Sequence, residues 1–152
     1  MKKRLQRIPR SFSIDSGVLI AYFLGEDLGE LVRSSGIMPP KGKTMYCSRT
    51  MISELFYILC RRRGESFARE VVSSLLTSGY LTILSTDEID MEAGRYKCSR
   101  ALSLADCYVQ AVAKVQHVPA VFAKREDDLK KELEKKLPFD VRLLFLEDEI
   151  SK

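Results

Sequence analysis

The chain has 152 residues, 45% of them hydrophobic and 30% charged, with a formal net charge of +4. One domain of this length buries about two-thirds of its unfolded surface without disulfide or metal staples, and the composition excludes wholesale disorder. No apolar run approaches the roughly 20 residues that span a bilayer, so no membrane association is expected.

The positive balance suits an anionic partner such as nucleic acid, because summed positive charge raises the local concentration of polyanions, but it says nothing about fold. The opening "MKKRLQRIPR" is read as a basic extension, residues 1–10, of a single domain covering residues 1–152. With "GVLIAYFL" behind it, it resembles a signal peptide only superficially. Asp15 interrupts the approach, no A-x-A-type cleavage site follows, and the segment is read as mature chain. Cys47, Cys60, Cys98 and Cys107 show no metal-ligand spacing and fall in apolar segments, as buried free thiols do, which fits a reducing cytoplasm.

In chain order, "SFSID" is a short β-run leading into the apolar segment Val18–Leu24, whose continuation "GEDLGELVRSSG" reads as a helix with a glycine stop. "MPPKGK" is a turn and "TMYCS" a strand. Ser48 or Thr50 can cap a helix through "MISELFYILCRRR", with Met51, Leu55, Ile58 and Leu59 as its apolar stripe, the arginines suiting the helix dipole, and Gly64 as its stop. "ESFAREVVSSLLTSG" is another such helix. "YLTILST" is a strand ending in the acidic "DEID", followed by a helical "MEAGRYKCSRAL". "SLADCYVQAVAKVQHV" has the alanine and valine content of a buried helix. "AVFA" is a buried-type strand, "KREDDLKKELEKKL" a charged helix, and "DVRLLFLED" a final strand. Strands alternating with helices imply a parallel sheet covered on both faces.

In such a sheet, strand C-termini and the helix N-termini that follow them share one edge, so acids placed there converge although distant in sequence. Asp15 follows the first strand, Glu54 lies early in the helix after the second, Asp106 opens the alanine-rich helix, and Glu126 and Asp128 follow "AVFAK". An oxygen-only set of this kind suits hard cations such as Mg²⁺ or Mn²⁺, whereas zinc recruits nitrogen or sulfur. It fits a hydrolytic nuclease that needs no nucleophilic side chain.

Each acid also has a structural role open to it. "SLAD" has the form of a capping box, Glu54 flanks an apolar stripe, Asp15 can cap the next helix, and Glu126 and Asp128 lie in a run that reads as a solvated face. His117, at the far end of its helix from Asp106, is read as a loop or packing residue. The basic stretches Lys2–Arg10 and Arg61–Arg63 are read as solvated charge that is also able to touch phosphates.

At these residues the chain resembles the PIN domain family, the nuclease fold of VapC-type toxins in toxin–antitoxin pairs. The likeness rests on "IDSGVLIAYFLGE", similar to the family's opening D-[ST]-x-x-[LI]-I motif, on "ISELFYILCRRRG", and on "LSLADCYVQAVA", which resembles its A-D motif. It runs from about Phe12 to the last strand. The resemblance implies a three-layer α/β/α sandwich with a mainly parallel central sheet and Mg²⁺- or Mn²⁺-dependent cleavage of RNA. It further implies a homodimer and control by a small antitoxin protein. Carried over by position, it makes Asp15, Glu54 and Asp106 metal ligands. Where the family has a hydroxyl residue and then an aspartate after the fourth strand, this chain reads "FAKREDDL". Lys124 stands near the hydroxyl position, Glu126 is the substitute acid and Asp128 its neighbour. The altered segment keeps alive a non-catalytic RNA- or protein-binding module on the same fold. An aspartyl-phosphate enzyme using Asp15 fits less well, since "DSG" has no second acid two residues on.

Overall fold

The computed structural model describes residues 8–150, leaving Lys2, Lys3, Arg4 and Arg7 of the basic extension outside the described residues. A five-stranded sheet runs β3-β2-β1-β4-β5, made of β1 (Ser11–Ile14), β2 (Thr44–Ser48), β3 (Leu81–Leu84), β4 (Ala120–Phe122) and β5 (Leu143–Phe145). Every pairing is parallel, with Ser13 opposite both Tyr46 of β2 and Ala120 of β4. The expected parallel α/β architecture is therefore present.

Side-chain direction alternates along each strand, and the two sets of residues fall into two separate cores. Phe12, Ile14, Met45, Cys47 and Val121 join one core with residues of α1 (Ser16–Phe23), α2 (Asp27–Ser34), α3 (Arg49–Arg63) and α4 (Glu65–Ser78). Tyr46, Ala120, Phe122 and Phe145 face the other, against α5 (Asp87–Ser99), α6 (Leu104–Gln116) and α7 (Asp127–Glu134). Two apolar layers on one sheet make the three-layer sandwich. No described helix is long and apolar enough to cross a membrane.

Several elements differ from the sequence reading. "GVLIAYFLGEDLGELVRSSG" is two helices, because Gly25 takes φ +65 and the chain restarts at Asp27 with Glu26 in the extended N-cap position. Gly29 then seats α2 directly on α1: a Cβ there would lie 2.4 Å from the Ala21 carbonyl oxygen. The acidic "DEID" is the first turn of α5 and not a strand end. Thr86 caps it, accepting from Ile89 N–H at 3.3 Å, and acids in a first turn complement the helix dipole. The charged helix is only Asp127–Glu134. The last strand stops at Phe145, and α8 (Glu147–Ile150) comes after it. Cys47 and Cys107 are buried as expected, but Cys98 on α5 is exposed and Cys60 half-buried.

Gly29→Ala is expected to force α1 and α2 apart and destabilise the chain by about 1–3 kcal/mol, the usual cost of overpacking. Urea denaturation with an unchanged m-value checks this, and a wild-type midpoint would show that the helix pair yields freely.

Candidate functional site

The C-terminal edge of the sheet opens into a cleft of about 830 Å³ lined by Asp15, Glu54, Asp106, Glu126 and Asp128. All five acids singled out in the sequence thus face one space. Asp15 ends β1, the central strand, and caps α1, its Oδ2 accepting from Gly17 N–H at 3.1 Å. The backbone approaches this carboxylate closely, since a Cβ on Gly17 would lie 2.9 Å from the same oxygen. Glu54, in the second turn of α3, accepts a short hydrogen bond from the hydroxyl of buried Ser16. Ser48 caps α3 and so sets where that turn falls.

Asp106 is presented by α6. Ser103 caps the helix, accepting from Asp106 N–H at 3.1 Å. The helix is held to the centre of the sheet by buried Ser13, whose hydroxyl donates to Val109 O at 2.7 Å. Asp128 lies half-buried in the first turn of α7, its Oδ1 accepting from Leu129 N–H at 2.8 Å. Glu126 is exposed in the N-cap position of α7 and makes no capping bond. For Asp15 the capping role and the cleft-facing role coincide, whereas Asp106 is itself capped by Ser103.

The acids feel one another. Burial, then Asp106 and Glu54, pushes the Asp15 carboxyl well above its ordinary range. Burial, then Asp128 and Glu54, with Glu126 the weakest contributor, raises Asp106 to about 6. Asp128 therefore acts on Asp106 more strongly than Glu126 does. As the side chains are placed, no three acids, histidines or cysteines among the described residues stand close enough to chelate one ion. The donor chemistry nonetheless fits a hard divalent cation, being all oxygen and mutually repulsive.

Other parts of the cleft are less legible in the sequence. Ser16 stands at the hydroxyl position of the D-[ST]-x-x-[LI]-I motif, which marks the residue without giving it a role. Glu26 and Asp27 reach the cleft because the chain breaks at Gly25, and Arg62 joins them, 3.6 Å from Glu26. Of the arginine triplet, Arg61 instead lies over the Tyr57 ring and Arg63 over Phe67. Lys124 lines the cleft. Arg125 engages Glu147 and Asp148 at 2.7–3.0 Å and stacks over Phe145 at 3.9 Å. His117 is the left-handed C-cap of α6, roughly 16 Å along the helix from Asp106, in keeping with its reading as a structural residue.

A parallel three-layer sandwich with an acid-lined cleft at its strand C-termini defines a class of α/β proteins whose site is assembled from several connections. The chain belongs to the PIN domain family, which matches residues 13–132. Its fold is similar to that of the Mycobacterium tuberculosis toxin VapC20, which cleaves the sarcin–ricin loop, at 16% identity and TM-score 0.63, covering 80% of this chain and 94% of that one. It is also similar to a DNA-bound VapBC from Salmonella typhimurium (15%, TM-score 0.65, covering 91% and 99%) and to FitAcB from Neisseria gonorrhoeae (13%, TM-score 0.56, covering 88% and 96%). No curated protein sequence matches the chain.

For a carboxylate whose folded pKa exceeds its unfolded one, the folded chain keeps the proton longer, so the penalty of ionising Asp106 is absent below 3.8 and complete above about 6. Metal-free protein is therefore expected to lose stability as pH rises across that window. Asp106→Asn should relieve on the order of 2 kcal/mol at pH 7.5. Thermal melts in EDTA at pH 4.5 and 7.5 check this, and a variant no more stable than wild type at the higher pH would contradict the mutual repulsion.

Proposed function

We propose that the protein is a divalent-metal-dependent endoribonuclease that hydrolyses RNA phosphodiester bonds as the toxin of a toxin–antitoxin pair. The observation carrying this reading is the convergence of Asp15, Glu54, Asp106, Glu126 and Asp128, from four separate connections, on one cleft where burial and mutual repulsion raise Asp15 and Asp106. Asp15, Glu54, Asp106 and Asp128 would hold Mg²⁺ or Mn²⁺, with Glu126 at the rim. When bound, such an ion supplies an acidified water and positive charge against the phosphate.

The chain's own groups prepare that site. Ser16 orients the Glu54 carboxylate, the Gly17 N–H orients that of Asp15, and the Ser103 cap holds the backbone of Asp106. Fixing each oxygen in advance lowers the reorganisation needed when the site is loaded. Lys124 and Arg62 are the cations lining the cleft, placed to attract an RNA backbone otherwise repelled by the acids. Among the similar folds, one from Klebsiella pneumoniae, at 16% identity and TM-score 0.54, is by its name a toxin–antitoxin complex. A small antitoxin partner, a homodimer and a cytoplasmic setting form part of the proposal.

A second reading, an RNA- or protein-binding module without cleavage, is favoured by the absence among the described residues of three acids close enough to chelate as placed. Cleavage of a labelled RNA pool with Mg²⁺, Mn²⁺ or EDTA separates the two. Wild type is expected to cut only with metal, and Asp106→Asn to lose at least about 100-fold, since even outer partners of a metal site cost 10–100-fold. Equal cutting by the variant would place the activity elsewhere, and an inert wild type that retains RNA would favour the binding module.

A further inference from the structure

Arg100 and Glu132 are the only charged residues among the described ones that are fully buried, at 6% and 1% exposure. Arg100 lies in the connection between α5 and α6, three residues before the Ser103 cap, and Glu132 lies on α7, one turn beyond Asp128. Arg100 Nη1 donates to Glu132 Oε2 at 3.4 Å, and Nη2 to the carbonyls of Leu137 and Pro138 at 2.9 and 2.8 Å. Its guanidinium lies over the Phe139 ring at 3.7 Å. Glu132 Oε1 accepts from Ala101 N–H at 2.9 Å and from Lys135 Nζ at 2.5 Å. Lys135 and the Ala101 N–H hold the Glu132 carboxyl below its usual range. The network spans the connection that leads into Asp106, the helix that carries Asp128, and the loop beyond that helix.

Stability does not explain such a pair, because two charges leave water to form it and apolar residues of similar volume often serve as well or better. What the pair adds is direction. A planar guanidinium fork and a two-oxygen acceptor fix the relative placement of two segments, whereas apolar contacts allow sliding. The need is particular to α7, which buries only Leu129 and Glu132. Beside that leucine, Glu132 is the buried contact that ties α7 to the segment leading into α6.

We propose that the Arg100–Glu132 pair is a positioning device for the acidic cleft, setting the separation between the Asp106 end of α6 and the Asp128 end of α7. This rests on the metal-site reading above. Arg100→Met/Glu132→Leu replaces the pair with apolar groups of similar size, and Arg100→Lys keeps the charge but removes the fork.

The double variant leaves Ala101 N–H and the Leu137 and Pro138 carbonyls without these partners, so it is expected to melt below wild type but still cooperatively, and to bind Mn²⁺ at least about 10-fold more weakly by calorimetry. Its RNA-cleavage kcat should fall in parallel while KM for RNA stays unchanged. In metal-free protein, amide exchange should quicken at the first turns of α6 and α7. Arg100→Lys should fall between, and its measurements decide the matter if the double variant does not fold. Wild-type Mn²⁺ affinity together with wild-type exchange would overturn the proposal and leave the pair a stabilising element only. Should wild type itself neither bind Mn²⁺ nor cut RNA, the nuclease reading fails, and the metal-free exchange comparison still decides the positioning role: unchanged exchange overturns it, and quickened exchange confined to those two turns supports it.

Discussion

The site depends on strand direction. Because all five strands run the same way, each β-to-α connection emerges on one edge, and the order β2-β1-β4 places Asp15 between the connection leaving β2 and the connection leaving β4. Reversing any of these strands would send its acid to the opposite edge. Strand polarity alone would still leave Asp106 unplaced, since α6 comes after a helix and not a strand. Its position comes from the apolar face Cys107, Val109, Ala111, Val112 and Ala113 packed on the sheet, together with the buried bond between Ser13 on β1 and the Val109 carbonyl.

Burying carboxylates and holding like charges together are both costly, and the raised carboxyls of Asp15 and Asp106 record that cost. Local donors offset part of it: the amide of Gly17 engages Asp15 and the hydroxyl of Ser16 engages Glu54. The two apolar cores carry the stability that the cleft gives up, a division common where function requires a locally unfavourable arrangement.

Much of this is legible in the residue pattern. Strand alternation is plain at "TMYCS", and the caps Ser48 and Ser103 stand where hydroxyls precede apolar periodicity. Other features are hidden, each for a physical reason. At Gly25 a helical hydrophobic pattern runs through a break that only backbone geometry reveals, which conceals the approach of Glu26 and Asp27 to the cleft. At "DEID" the acids read as the end of a strand although Thr86 ahead of them is an N-cap signal, so α5 begins four residues earlier than expected. Cys98 shows a third limit: a cysteine within a helical apolar pattern can still fall on its outer face. In the charged helix, one face is solvated as the pattern suggests, but Glu132 points inward, and only tertiary placement distinguishes it from its neighbours.

The segment Lys124–Glu126 divides its duties by residue. Lys124 and Glu126 line the cleft, while Arg125 between them turns to the scaffold, clamped on Glu147 and Asp148 and stacked on Phe145. Attachment of the loop is thus separated from the chemistry it presents. In evolutionary terms such a loop can exchange its two outward residues, and with them charge and ligand character, without losing its anchorage.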